Sequence, residues 1–125
     1  MYSDHDRKKF IAEALSFYKS LGKIRCPALE NKVVTFGNSG FSHLIRKDRK
    51  NRPFNEVCWR IELLKYAPSL IKDMSTTYSK TISQNKIYGT ISYFSMINSI
   101  DKIKVKIILR QYGTDNIHFL SIMTM

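Results

Sequence analysis

Lys102-Ile103-Lys104-Val105-Lys106-Ile107-Ile108-Leu109-Arg110-Gln111-Tyr112 is the stretch on which the fold turns. Ile103, Val105, Ile107 and Leu109 alternate with Lys102, Lys104, Lys106 and Arg110. A period of two with one apolar and one cationic side marks a strand that lays one face on a core and leaves the other to solvent. Turn signals flank it: Asn98-Ser99-Ile100-Asp101 before and Gly113-Thr114-Asp115 after. Beyond them, residues 86–97 and 116–123 read as further strands, so the last third is an antiparallel meander.

Register follows from the turns. A tight first hairpin pairs Ile97 with Lys102 and sets Tyr93 opposite Lys106. A two-residue turn at Thr114-Asp115 pairs Tyr112 with Ile117 and sets Ser121 opposite Ile108. Facing partners share a side. Tyr93, Lys104, Lys106, Arg110, Phe119 and Ser121 are therefore expected on one face, with His118 on the apolar face beside Leu120 and Ile122. A one-residue bulge would exchange the sides of His118 and Ser121.

Upstream the period changes. Ser3 with Asp6 forms a variant capping box, Phe10, Ala14, Phe17, Tyr18 and Leu21 recur at helical spacing, and Gly22 ends the helix. Val33-Val34-Thr35-Phe36 reads as a short strand broken by Gly37-Asn38-Ser39-Gly40. A short helix over 41–47 places His43 and Lys47 on one face, with Lys50 following in the same direction. A second long helix starts at Asn55 and is interrupted at Pro68. Residues 75–85, rich in Ser and Thr, read as a loop. Helices first and a β-meander after them make an α+β domain. At 125 residues the chain is expected to form one domain, with 1–32 a helical part and 33–125 the core.

Lys and Arg outnumber Asp and Glu by 21 to 10. That excess calls for a polyanionic partner: a nucleic acid, an anionic membrane or an acidic protein. Apolar runs are too short for a membrane helix, and the N-terminal MYSDHDRKKF lacks an apolar signal core. Cys26 and Cys58 have no metal-ligand spacing and read as two buried thiols, with a single bridge between them the alternative. Neither GxxxxGK[ST], GxGxxG, HExxH nor GxSxG occurs, which removes the usual nucleotide-loop, zincin and hydrolase-elbow signals.

The charge is concentrated in Gly40 to Arg52, GFSHLIRKDRKNR. Arg46, Lys47, Arg49, Lys50 and Arg52 face one acid, Asp48, a net +4 of the chain's +11. A histidine beside such a stretch fits a metal-free RNA-cleaving site, which needs a base for the 2′-hydroxyl, an acid for the leaving 5′-oxygen and cations for the charged phosphorane. His43 fits base or acid, Arg110 and Lys106 the phosphate stabiliser, and Tyr93 or Ser121 a positioning or proton-donating group. A plain alternative stands beside this: a solvated, lysine-rich sheet face on a non-catalytic RNA- or DNA-binding module, with His118 a hydrogen-bonded core histidine.

Four segments carry a resemblance: Phe36-Gly37-Asn38-Ser39-Gly40-Phe41-Ser42-His43-Leu44 with the basic run after it, Trp59-Arg60-Ile61-Glu62-Leu63-Leu64-Lys65, Ile107-Ile108-Leu109-Arg110-Gln111, and Ile117-His118-Phe119-Leu120-Ser121. Together they resemble the barnase/EndoU/colicin/RelE-like nuclease superfamily, in particular phage-borne members and C-terminal toxin domains of contact-dependent growth inhibition proteins. The resemblance implies a metal-independent ribonuclease, often acting on tRNA, with no cofactor and with helices preceding a four-stranded antiparallel sheet that carries the site. It further implies delivery as the C-terminal part of a larger secreted or cell-surface protein, action in the target-cell cytoplasm, and neutralisation by a cognate immunity protein, expected to be acidic. Its site matches His43, Arg110, His118 and Ser121, while Arg60 matches a helix arginine that binds phosphate or holds an internal ion pair. Arg46, Lys47, Arg49, Lys50 and Arg52 are then the grip on the RNA backbone.

Overall fold

The structure, a computed structural model, describes residues 3–125; Met1 and Tyr2, the first residues of the expected helical part, lie outside the described residues. Helix α1 runs Asp4–Leu21. Its start is the capping box read from the sequence: Asp6 N–H donates to Ser3 Oγ at 3.1 Å, and Ser3 N–H to Asp6 Oδ2 at 3.3 Å. Gly22, at φ +56°, ends it. On its inner side Tyr18 is the hub of an aromatic cluster with Phe36, Phe41 and Phe119. The Tyr18 hydroxyl donates to the Gly37 carbonyl at 2.7 Å, so the buried phenol is not left without a partner.

Next come β1 (Lys23–Cys26), a 3₁₀ turn (Pro27–Leu29), β2 (Lys32–Thr35), α2 (Asn38–Ile45), and a small hairpin of β3 (Arg46–Lys47) and β4 (Lys50–Asn51). Then follow α3 (Phe54–Leu64), α4 (Ala67–Lys72), β5 (Thr77–Asn85), β6 (Gly89–Ile100), β7 (Ile103–Tyr112) and β8 (Ile117–Thr124). The architecture is α+β, as expected. The main sheet has the order β1-β2-β8-β7-β6-β5 and is antiparallel except where β2 meets β8.

Four expectations are corrected. Residues 75–85 are not a loop: from Thr77 they form the edge strand β5, exposed along its whole length. A strand that is wet on both sides needs no apolar alternation, so its sequence carries no period. The turn between β6 and β7 is Asp101-Lys102, both at positive φ, the backbone of a two-residue hairpin whose twist suits the flanking strands. Asn98 and Ser99 remain inside β6, with the Asn98 amide donating to Asp73 and Thr76. Tyr93 consequently pairs with Arg110 rather than Lys106. The 1–32 part is not only helical, because β1 and β2 extend the sheet.

The fourth correction is the most consequential. Ser121 does pair with Ile108, but Ile117 pairs with Gln111 rather than Tyr112, and the register shifts between Ile108 and Leu109. Leu120 is the extra residue of a β-bulge. It turns His118 to the Arg110 side and Phe119 into the core opposite Leu109.

The apolar side of the sheet packs with α1, α3 and α4 into one core, in which Val34, Leu44, Leu64, Ile71, Leu109 and Ile122 are fully buried. Beyond Thr35 the chain leaves the sheet, and the outer edge of β8 is covered by α2. Among the described residues no helix is long and apolar enough to cross a membrane.

Candidate active site

The pairings align one row of side chains across four strands: Tyr93 on β6, Arg110 on β7, His118 on β8 and Thr35 on β2. Direct cross-strand neighbours hold their Cβ atoms about 5 Å apart, so the row is a continuous polar track on the face turned away from the core. Tyr93, Arg110, His118 and Thr35 are all half-buried. Two polar atoms in the row are buried without a hydrogen-bond partner, Arg110 Nε and Thr35 Oγ1, and they lie on either side of His118. Buried polar groups are usually paired, so two orphans set this row apart from the rest of the sheet.

Helix α2 closes one side of this track. Its N-cap is Gly37, which offers no side-chain cap, so the first N–H groups of the helix face outward with the positive end of its dipole. Gly40 fixes the placement: a Cβ there would collide with the Phe119 carbonyl and the Tyr18 hydroxyl, so only glycine lets α2 press against β8. Ser39 is thereby brought to Arg110, whose Nη2 donates to Ser39 Oγ at 3.1 Å. The Arg110 guanidinium also lies over the Tyr112 ring, 4.9 Å from its centroid. Gly37 borders the imidazole; a Cβ on it would lie 3.5 Å from His118 Nδ1. Gly37 to Gly40, Arg110, Tyr112 and His118 enclose a cleft of about 200 Å³.

His43 stands one helical turn beyond Ser39, on the same side of α2. Partial burial pushes its pKa below the ordinary 6.5, and the charges of Arg110, Arg52 and Arg60 push it further. The neutral imidazole is therefore the favoured form, which suits a base. No carboxylate pairs with Arg110 among the described residues.

The remaining residues singled out from the sequence divide into two groups. Arg46, Lys47, Arg49 and Lys50 are exposed on the β3–β4 hairpin, turned by Asp48 and Arg49 at positive φ, rather than on a helix face or an open loop. Lys106 lies four residues from Arg110 along β7, opposite Ile97 and Met123, and outside the cleft. Arg52 and Arg60 are internal. Arg52 donates to the His43 carbonyl at 3.0 Å and to Glu56 at 2.8 Å. Arg60 donates to Glu56 at 3.3 Å, to Ser121 Oγ at 3.0 Å and to the Ile122 carbonyl at 2.9 Å. Arg60 thus serves the stretch of β8 edge that no strand pairs, Ser121 and Ile122, both buried. Ser121 is buried and already engaged by Arg60, so it supports that anchor rather than meeting a substrate.

Sequence reasoning missed Ser39, Thr35 and Tyr112. Ser39 was visible only as part of the break after the strand that ends at Phe36, and Thr35 only as part of a β-branched run. No family model, curated protein or solved structure matches the chain.

Proposed function

We propose that the chain is a metal-independent endoribonuclease, a toxin that cleaves RNA, with tRNA the preferred substrate class. The single observation that carries this reading is the Tyr93–Arg110–His118–Thr35 row beneath the N-terminus of α2, with His43 beside it held toward its neutral form. A phosphodiester placed in the cleft meets the Arg110 guanidinium, which forks onto two oxygens, and the outward N–H groups of α2. The site is made of imidazoles, a guanidinium and hydroxyls, which is the inventory for acid–base transesterification.

In this scheme neutral His43 takes the proton of the 2′-hydroxyl. The 2′-oxygen attacks phosphorus, Arg110 stabilises the charge that builds on the non-bridging oxygens, and protonated His118 gives its proton to the departing 5′-oxygen. The products are a 2′,3′-cyclic phosphate and a 5′-hydroxyl. Tyr93 and Thr35 hold the phosphate in line, and the β3–β4 cations grip the flanking backbone. Delivery into a competitor bacterium as the C-terminal part of a larger protein, and silencing by an acidic immunity protein covering the cationic face, complete the proposal.

The test is incubation with total tRNA in EDTA, followed by end analysis. Wild type yields cyclic-phosphate ends, and His118→Ala and His43→Ala yield none while still binding RNA. Intact RNA with steeply salt-dependent binding in the wild type would instead establish a non-catalytic binding module, and cleavage that needs added metal would overturn the mechanism.

A further inference from the structure

The core side of the sheet holds a second, larger cleft. Lys32 on β2 and Lys80 on β5 lie four strands apart in the sheet order, which in a flat sheet is about 19 Å. Yet both line the same two cavities, so the sheet curls until its outer strands face each other. Helix α3 borders one end of the hollow, where Leu63 and Val105, near the β6–β7 turn, line one cavity. The other end stays open as a cleft of about 820 Å³, four times the volume at His118 and within the range of small-ligand sites.

Its floor is another cross-strand row, Ile82, Ser92, Gln111 and Ile117, with apolar ends and a polar middle. Its rim carries Arg25, Lys32 and Lys80. Among the described residues none of these three forms an ion pair. Two carboxylates also border this region, Asp115 at the cleft and Glu30 at the adjoining cavity, which leaves the three cations in excess, and a multiply charged anion balances them. Side-chain amides at Asn31 and Asn116 add neutral hydrogen-bonding groups.

We infer that this cleft binds a nucleotide, its phosphate on Lys32, Lys80 and Arg25 and its base on the Ile82–Ile117 floor. The ligand is either a free mononucleotide or the 5′-phosphorylated end of an RNA strand; the recognised chemistry is the same. The inference does not depend on cleavage, since the site lies on the opposite face of the sheet from His118.

Amide NMR titration tests it, with 5′-AMP as one probe and 2′-O-methyl RNA tetramers, with and without a 5′-phosphate, as the others. Such tetramers lack the attacking hydroxyl and survive contact with an active enzyme. Saturable shifts are expected at Ser92, Gln111 and Thr114. If AMP produces them the ligand is a free nucleotide; if only the phosphorylated tetramer does, it is a strand end. Lys32→Glu/Lys80→Glu is expected to weaken binding at least tenfold. Lys8→Glu/Lys9→Glu on the exposed side of α1 makes the same change in net charge and is expected to leave binding within twofold. Shifts confined to Gly37–Gly40 and His118, no shifts at all, or equal losses in the two double variants would each overturn the inference. His118→Ala, which removes the proposed catalytic acid, keeps AMP binding here, so failure of this site and failure of the cleavage reading are separable.

Discussion

Arg110 and His118 stand directly opposite each other on β7 and β8, on the same face of the sheet. Nothing in their spacing along the chain requires this. It depends on Leu120, whose bulge re-aims the first half of β8 while leaving Ile122 locked opposite Ile107 in the core. The pair, with Ser39 against Arg110, sets the first expectation.

Arg110 is an activity residue more than a stability residue. Its Nε is buried without a partner, so part of its desolvation is uncompensated, and its stacking on Tyr112 returns only about 0.5–1 kcal/mol. Arg110→Ala is expected to lower RNA cleavage roughly 10²–10³-fold with the thermal midpoint held or slightly raised. Arg110→Lys keeps the charge but loses the fork and is expected to recover little. A variant that unfolds, or one that cleaves at the wild-type rate, contradicts this assignment.

The fold class was legible because its strongest signals are local. The alternation of Ile103 to Leu109, the Ser3–Asp6 cap and the break at Pro68 each report a period or a backbone constraint within a few residues. The parts that were not legible depend on distant partners. β5 shows no period because both its sides meet solvent, and Asn98 stays in its strand because Asp73 and Thr76 hold its amide. The side of His118 turned on a single bulged residue, whose position is set by Phe119 and Ile122 both needing the core. His43, Arg110 and His118 could be named from the sequence, and an internal ion pair was one of the two roles open to Arg60; that its acid is Glu56, and that Arg52 is structural, could not be, since these partners meet only in the fold.

His43 gives a pH prediction whose sign follows from its depressed pKa. Above its ordinary value of 6.5 the imidazole is neutral in both folded and unfolded chains, so it costs nothing there. Between 6.5 and the lower folded value, the unfolded chain takes a proton that the folded chain refuses, and stability declines as pH falls through that window. Catalytically, the acid limb of kcat/KM is expected to lie below pH 6.5. Removing a neighbouring cation should raise the midpoint toward 6.5, more for Arg110→Gln than for Arg52→Gln, because Arg110 acts on His43 more strongly. Titration of the His43 ring proton by NMR reads this directly; a midpoint unmoved in Arg110→Gln would show that these charges do not set it.

The arginines and lysines of the cationic region should separate into two classes of variant. Arg60→Ala strips donors from Ser121 and from the Ile122 carbonyl and leaves Glu56 with Arg52 alone. An unsatisfied buried acceptor costs about 1–3 kcal/mol, so the thermal midpoint should fall by several degrees. Lys47→Glu does the opposite. Lys47 pairs across the hairpin with Lys50, so an acid there turns a repulsive pair into an attractive one. Its midpoint should hold or rise while RNA affinity drops and the slope of log K against log salt shrinks by about 0.7 per lost phosphate contact. Calorimetry and salt-dependent filter binding distinguish the two, and equal loss of stability in both variants would contradict the division.

Gly40 and Gly37, three residues apart, are expected to fail in different ways. A Cβ at Gly40 meets the Phe119 carbonyl, which belongs to the sheet backbone and cannot swing aside, as well as the Tyr18 hydroxyl. Gly40→Ala must therefore lift α2 off β8, at about 1–3 kcal/mol or more for overpacking, and carry Ser39 away from Arg110. Adding Tyr18→Phe removes one of the two obstacles and should restore only part of the stability. Gly37 has φ −103°, which any residue adopts, and its nearest neighbour, His118 Nδ1, would lie at ordinary contact distance. Gly37→Ala is thus expected to keep the wild-type thermal midpoint while lowering kcat, because the added methyl restricts the imidazole rather than the fold. If Gly40→Ala proves as stable as the wild type, α2 does not pack on β8 as described, and the cleft at His118 loses its wall.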